Sequence, residues 1–227
     1  MRLVFNQTFD EPLNTSVWDT CYPWESLTGC TNFSNQEVEW YVPSQVQVTG
    51  GALHLVGQLE ATEGTTKAGD PESYPCRSGM ITSYPGFQFE YGYVSIVAQI
   101  PTGPGNWPGL WMAASNFQWP PEIDILEAWG PPISVAGVFF HPVDGPQELI
   151  HLSAAKMASL STGWHTFSLL WTPQELIWYV DGVPVMTITA QVPHQEMYLL
   201  ADLANFDANG GCNGQLLIRS IDVWQSP

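Results

Sequence analysis

His165-Thr166-Phe167-Ser168-Leu169-Leu170-Trp171 and Leu176-Ile177-Trp178-Tyr179-Val180-Asp181-Gly182 read as two β-strands, the second ending in a hairpin turn. Asp-Gly favours such a turn because both central residues of its tightest form need positive φ, which Gly adopts freely and Asp tolerates. The same punctuation recurs in both directions. Val46-Gln47-Val48 runs into Gly50-Gly51, and Leu53-His54-Leu55-Val56 alternates beyond it. Gly92 to Ile100 forms a strand pattern stopped by Pro101, and Leu216 to Trp224 forms another at the end of the chain. The helix-like stretch is Ala154 to Leu160, which is short. Many short strands separated by turn residues predict an all-β sandwich or jelly roll. With 227 residues and 44% hydrophobic content, the chain reads as one domain over residues 1–227.

Charge narrows the partners. A net charge of −17 with only 5 Lys plus Arg repels phosphate backbones and anionic lipid, so neither nucleic acid nor membrane is expected. A neutral polymer carries no such penalty. Eleven Trp, eight Tyr and ten Phe are many for so few charges, and exposed aromatic faces grip sugar rings as well as filling cores. Cys21, Cys30, Cys76 and Cys212 contain no CxxC pair, a spacing that suits two disulfides better than zinc and implies an oxidising compartment. Three pairings are open; Cys21–Cys30 with Cys76–Cys212 is the expected one. Met1 reads as a start codon placed on a mature domain, so an extracellular location is expected with no signal peptide in this stretch.

The chemistry is concentrated in Pro121-Glu122-Ile123-Asp124-Ile125-Leu126-Glu127-Ala128-Trp129. Side chains at i and i+2 of a strand share a face, so Glu122 and Asp124 point together while Ile123 turns inward. Glu127 has the wrong parity for that face. One extra residue, a β-bulge at Ile125 or Leu126, restores it. Ile123 and one of Ile125 and Leu126 are then expected to be buried. Glycoside hydrolysis needs one ionised carboxylate and one protonated carboxyl, and crowded negative charge raises a pKa to supply the second.

The flanking motifs resemble glycoside hydrolase family 16, the laminarinases and related β-glucanases. The acid strand matches that family's bulged active-site strand in all three acids. Asn106-Trp107-Pro108-Gly109-Leu110-Trp111-Met112 looks like its tryptophan motif, and Trp119-Pro120 like the Trp-Pro before its catalytic strand. Gly163 to Phe167, Leu170 to Pro173 with Trp178 to Gly182, Leu3 to Trp18, and Ile221 to Trp224 match further family segments. The resemblance implies a jelly-roll sandwich of two antiparallel sheets with an open cleft on the concave face. It implies Glu122 as nucleophile, Glu127 as acid/base and Asp124 as their assistant. It also implies Trp107 and Trp111 as sugar-binding residues, with His141, Trp119, Trp129, Asn35 and Arg77 completing the substrate-binding set.

Several positions depart from the family pattern. Thr8 stands where the family often carries a Glu near a structural calcium, so no metal ligand set is firm, with Asp222 and the Gly51 carbonyl left as candidate oxygen ligands. Asp202 replaces an Asn, and Met80 a basic residue, with Arg77 displaced upstream. The expected activity is that of a retaining endo-β-1,3-glucanase acting as a monomer on β-glucan polysaccharide or oligosaccharide, with no cofactor required. A β-1,3-1,4-glucanase is the second reading, and a non-catalytic β-glucan-binding sandwich the third.

Overall fold

The computed structural model describes residues 1–24, 29–101, 103–129, 135–153, 159–160, 162–206 and 212–227; the side chains of Trp129 and of residues 135–139 lie outside the described set. Its strands are numbered along the chain. The larger sheet contains β1 (Arg2–Thr8), β3 (Val46–Thr49), β4 (Ala52–Gly57), β9 (Gly92–Gln99), β14 (His165–Trp171), β15 (Leu176–Val180), β16 (Val183–Ile188) and β18 (Gly214–Gln225). Its order is β16-β15-β14-β9-β18-β4-β3, with β1 also paired to β18. The second sheet contains β8 (Met80–Thr82), β10 (Asn106–Ala114), β11 (Glu122–Trp129), β12 (Val135–His141), β13 (Glu148–His151) and β17 (Met197–Asn205), in the order β13-β12-β11-β10-β17-β8. Two small pairs, β2 (Glu39–Tyr41) with β7 (Cys76–Ser78) and β5 (Thr62–Thr65) with β6 (Pro71–Tyr74), lie apart from these sheets.

The sheets bear out the two-layer sandwich, and their register explains the sequence patterns. β9 alternates buried and half-buried residues along its whole length, as expected for a strand with one face on the core. β17 does not alternate: all of Met197–Asn205 is buried. One face of β17 meets the inter-sheet core through Leu199, Ala201 and Leu203. The other meets a smaller cluster of Tyr22, Tyr41, Met80, Trp111, Ala113, Tyr198 and Leu200. A strand covered on both sides reads as a continuous apolar run. The disulfide Cys21–Cys30 sits beside Tyr22 in the covering segment, and Cys76–Cys212 joins β7 to the approach to β18. Both pairings are the expected ones. At Asp181 and Gly182, φ is 50° and 74°, the positive values that the hairpin turn needs.

The bulge lies where parity demanded it. Trp111 pairs with Asp124 and Leu110 with Leu126, leaving Ile125 as the extra residue. One part of the expectation is corrected: Ile125 and Leu126 are both buried, at 1% and 0% exposure, together with Ile123 at 0%. The distortion turns two consecutive apolar side chains into the core instead of wasting one. The fully buried Trp178, from the opposite sheet, donates its indole N–H to the Asp124 carbonyl at 3.0 Å. A bulge disrupts the regular ladder locally, and this bond gives the carbonyl beside it a partner. Of the helix-like stretch, only Ser159 and Leu160 lie in the described set, and both are helical. Among the described residues, no helix is long and apolar enough to cross a membrane.

Trp178→Phe should therefore cost about 1–3 kcal/mol, the penalty for leaving a buried acceptor without its donor. Thermal unfolding should show a lower Tm. An unchanged Tm would mean that the indole bond does not support the bulge.

Candidate active site

Strand register builds the site in rows across the second sheet. Glu122 faces Ala113 on one side and His141 on the other. Asp124 faces Trp111, and Glu127 faces Gly109. Gly109 in turn faces Asp202 on β17. A cleft runs over these rows, lined by all three acids of β11 together with Trp107, Trp111 and Asp202. Its far wall comes from the segment before β2, through Tyr22, Asn32, Asn35 and Glu37. Gly109 allows the close approach at the centre, since a Cβ there would sit 2.9 Å from Asp202 Oδ1.

Three of the cleft carboxyls, Glu122, Glu127 and Asp202, each accept a tryptophan indole proton. Trp119 Nε1 donates to Glu122 Oε2 at 3.1 Å, and Trp107 Nε1 to Glu127 Oε1 at 2.9 Å. Trp111 Nε1 donates to Asp202 Oδ2 at 2.6 Å. His141 Nε2 lies 3.3 Å from Glu122 Oε1 and 3.6 Å from Asp124 Oδ2. Asp124 Oδ2 is buried and has no hydrogen-bond partner.

These contacts refine the expected substrate-binding set. Trp107 and Asn35 line the cleft. Trp119 is 64% exposed at its edge, with its ring 5.7 Å from that of His141. Trp111 lines the cleft but is only 9% exposed, with rings of Tyr22 and Trp24 against it at 6.4 and 6.5 Å. Most of its surface is therefore packed, and less remains for a sugar than the expectation assumed. Trp129 lies on β11, with its side chain outside the described set.

Arg77 is corrected: its guanidinium is 2.8 Å from Glu60 and also bonds Gln58, and it is not among the residues lining the cleft. Of the two candidate calcium ligands, Asp222 faces Asn6, whose side-chain amide donates to it, and Gly51 lies beside the Asp10 carboxylate.

Glu37, Asn32, Tyr22 and Gln147 escaped the sequence reading. Asn32 to Glu37 carries no strand pattern, and Gln147 lies in the connection just before β13, where its amide nitrogen comes within 3.2 Å of His141 Nε2. Asp202 was visible only as a departure from a family pattern.

Burial dominates the electrostatics. Glu122 is pushed up to about 7, first by burial and then by the charge of Glu127, with the Trp119 bond opposing. Glu127 is also raised to about 7 by burial, with the Trp107 bond opposing. Asp124 lies well above the usual carboxylate range because of burial and then the charges of Glu122, Glu127 and Asp202. Asp202 is raised by burial and by Glu37, and Glu37 by burial and by Glu39. Burial lowers the pKa of His141. Among the described residues, no Lys or Arg lines the cleft to offset this charge. The arrangement can hold one carboxyl protonated beside an ionised one near neutral pH, which acid-assisted displacement at an acetal carbon requires.

Comparison with known proteins places this geometry. The sequence model described as "Glycosyl hydrolases family 16" matches residues 34–210. Endo-1,3-1,4-beta-glycanase EglC of Rhizobium meliloti (strain 1021) is 32% identical over 222 residues, covering 89% of this chain and 47% of that protein. Glucan endo-1,3-beta-glucosidase A1 of Niallia circulans is 29% identical over 257 residues, covering 98% of this chain and 37% of that protein. The chain thus spans less than half the length of these curated relatives. The laminarinase catalytic domain of Thermotoga maritima MSB8 superposes with a TM-score of 0.84 at 25% identity, covering 100% of this chain and 98% of that one.

Carboxyls raised in the folded state favour folding while they are protonated. Their contribution is fully present below the unfolded carboxylate pKa and is lost as pH rises through the folded value. Calorimetric Tm should thus be highest near pH 4–5 and fall as pH rises through about 7, where Glu122 and Glu127 ionise. A Tm that climbs steadily from pH 5 to pH 8 would contradict this charge account.

Proposed function

The chain belongs to glycosyl hydrolase family 16, and from that premise we propose that it is a retaining endo-β-1,3-glucanase. One observation carries the reading: Glu122, Asp124 and Glu127 line one cleft, with both glutamates raised to about 7. Ionised Glu122 attacks the anomeric carbon while protonated Glu127 gives its proton to the departing glycosidic oxygen. The bond from Glu122 to the sugar forms as the glycosidic bond breaks. Glu127, now ionised, takes a proton from water as that water attacks the same carbon, and Glu122 is released. The Trp119 N–H holds one oxygen of Glu122 and steadies its ionised form. Asp124 stands between the two, its carboxyl held above the usual carboxylate range by burial and then by the charges of Glu122, Glu127 and Asp202.

The neutral β-glucan substrate is supported by the curated names of the relatives and by the acidity of the chain. Internal cutting is supported by the endo-acting names of the relatives. Mixed β-1,3-1,4 linkage is the second reading, favoured by the 32% identity to an endo-1,3-1,4-beta-glycanase. Both disulfides support action in an oxidising, extracellular setting.

Glu122→Gln should keep the fold and lose at least about three orders of magnitude in turnover of laminarin, since the covalent step disappears. Near wild-type release of reducing sugar would refute the nucleophile. Glu127→Ala should be far less impaired on an aryl β-glucoside with a good leaving group than on polymer, and azide should accelerate it. Equal impairment on both substrates with no azide effect would remove Glu127 from the acid/base role. Comparing laminarin with barley β-glucan decides linkage: faster cutting of the barley polymer would favour the second reading.

A further inference from the structure

The catalytic face gathers more lone pairs than hydrolysis uses. His141 Nε2 is 3.3 Å from Glu122 Oε1 and 3.6 Å from Asp124 Oδ2. One ligand atom from each of these residues lies within 4.8 Å of the other two. Asp124 is 3% exposed, and its Oδ2 has no hydrogen-bond partner. A buried carboxylate oxygen without a donor is costly, and here it points at an imidazole nitrogen and a second carboxylate. We propose that Glu122, Asp124 and His141 form a binding site for a divalent transition-metal cation of the Zn²⁺ type, which excludes substrate while bound.

Three features support the site independently. The first is spacing. Ligand atoms about 2.0–2.2 Å from a tetrahedral Zn²⁺ stand about 3.3–3.6 Å from one another, which the two distances from His141 match. The second is donor type. One imidazole with two carboxylates suits zinc and its neighbours, whereas magnesium and calcium take oxygen alone. The third is preorganisation. Glu122 and Asp124 share a strand, and His141 faces Glu122 from the adjacent one, so sheet register rather than loop closure holds all three. The Trp119 bond to Oε2 of Glu122 leaves its Oε1 toward His141.

Among the described residues, Gln147 competes for the imidazole, its amide nitrogen 3.2 Å from Nε2. It is exposed, so its contact there is open to displacement. The surrounding charge favours a dication, since the cleft-lining residues include Glu127, Asp202 and Glu37 and, among the described residues, no Lys or Arg. Bound metal commits the Glu122 oxygen that would attack the sugar, so the cation competes with substrate. That consequence rests on the nucleophile role proposed above; the binding itself does not.

Isothermal titration calorimetry of the whole chain with ZnCl₂, at about pH 7 and about 0.15 M salt to screen diffuse attraction, tests the site. One saturable Zn²⁺ per chain is expected, with Mg²⁺ giving no comparable heat. His141→Ala and His141→Gln should each weaken Zn²⁺ binding about ten-fold or more, by loss of a ligand, while His54→Ala leaves it unchanged. No saturable Zn²⁺ binding, equal binding of Mg²⁺, or wild-type affinity in both His141 variants would overturn the site. In the same preparations, Zn²⁺ should raise the apparent KM for laminarin. Zn²⁺-saturated protein that hydrolyses at the metal-free rate would overturn the competition with substrate. Because the heat of binding is read without substrate, it remains decisive even if the chain hydrolyses nothing.

Discussion

The architecture of the site depends on one inserted residue. Without the bulge at Ile125, strand parity would send Glu127 into the core and Leu126 into the cleft. With it, three acids share a face and Ile123, Ile125 and Leu126 are all buried. Apolar burial and acid alignment are thus one constraint, and neither can be relaxed without the other. The buried Trp178 bonds the Asp124 carbonyl from the opposite sheet. The core therefore reaches through to the bulge, and the catalytic register is tied to packing between the sheets.

The consequence is a cleft crowded with negative charge. Other enzymes balance such crowding with arginine or lysine; here the neutral indole groups of Trp107, Trp111 and Trp119 supply the donors. An indole donor opposes the rise in carboxyl pKa without cancelling it, so burial still prevails at Glu122 and Glu127. A cationic partner within about 4 Å would lower a carboxyl by one to three units and remove the proton that acid catalysis needs. Tryptophan serves the site in two ways, as donor through its edge and as apolar surface through its face. Trp111 leans toward the first, since Tyr22 and Trp24 pack around its ring.

Local pattern made the catalytic strand, the Asp181-Gly182 hairpin and the two-layer architecture readable in the sequence. The parity conflict at Glu127 located the bulge to within one residue. Reading stopped where tertiary register takes over. Asp202 reaches the centre only because β17 pairs with β10 and places it opposite Gly109. Glu37 arrives on a segment without strand pattern, beside a disulfide-closed loop. Arg77 entered as the displaced counterpart of the family's basic residue, but it pairs in parallel with Trp40 and its guanidinium meets Glu60 instead.

The central claim is that Glu122 forms a covalent bond with the sugar, and trapping that bond tests it most directly. A 2-deoxy-2-fluoro-β-laminaribiosyl fluoride slows both displacements through its C2 fluorine but keeps a good leaving group for the first. Intact-protein mass spectrometry followed by peptide mapping should show one added 2-deoxy-2-fluoro-laminaribiosyl unit per chain, attached to the peptide containing Glu122 and located on that side chain. No adduct, or an adduct carried by Glu127 or by a residue outside β11, would contradict the account.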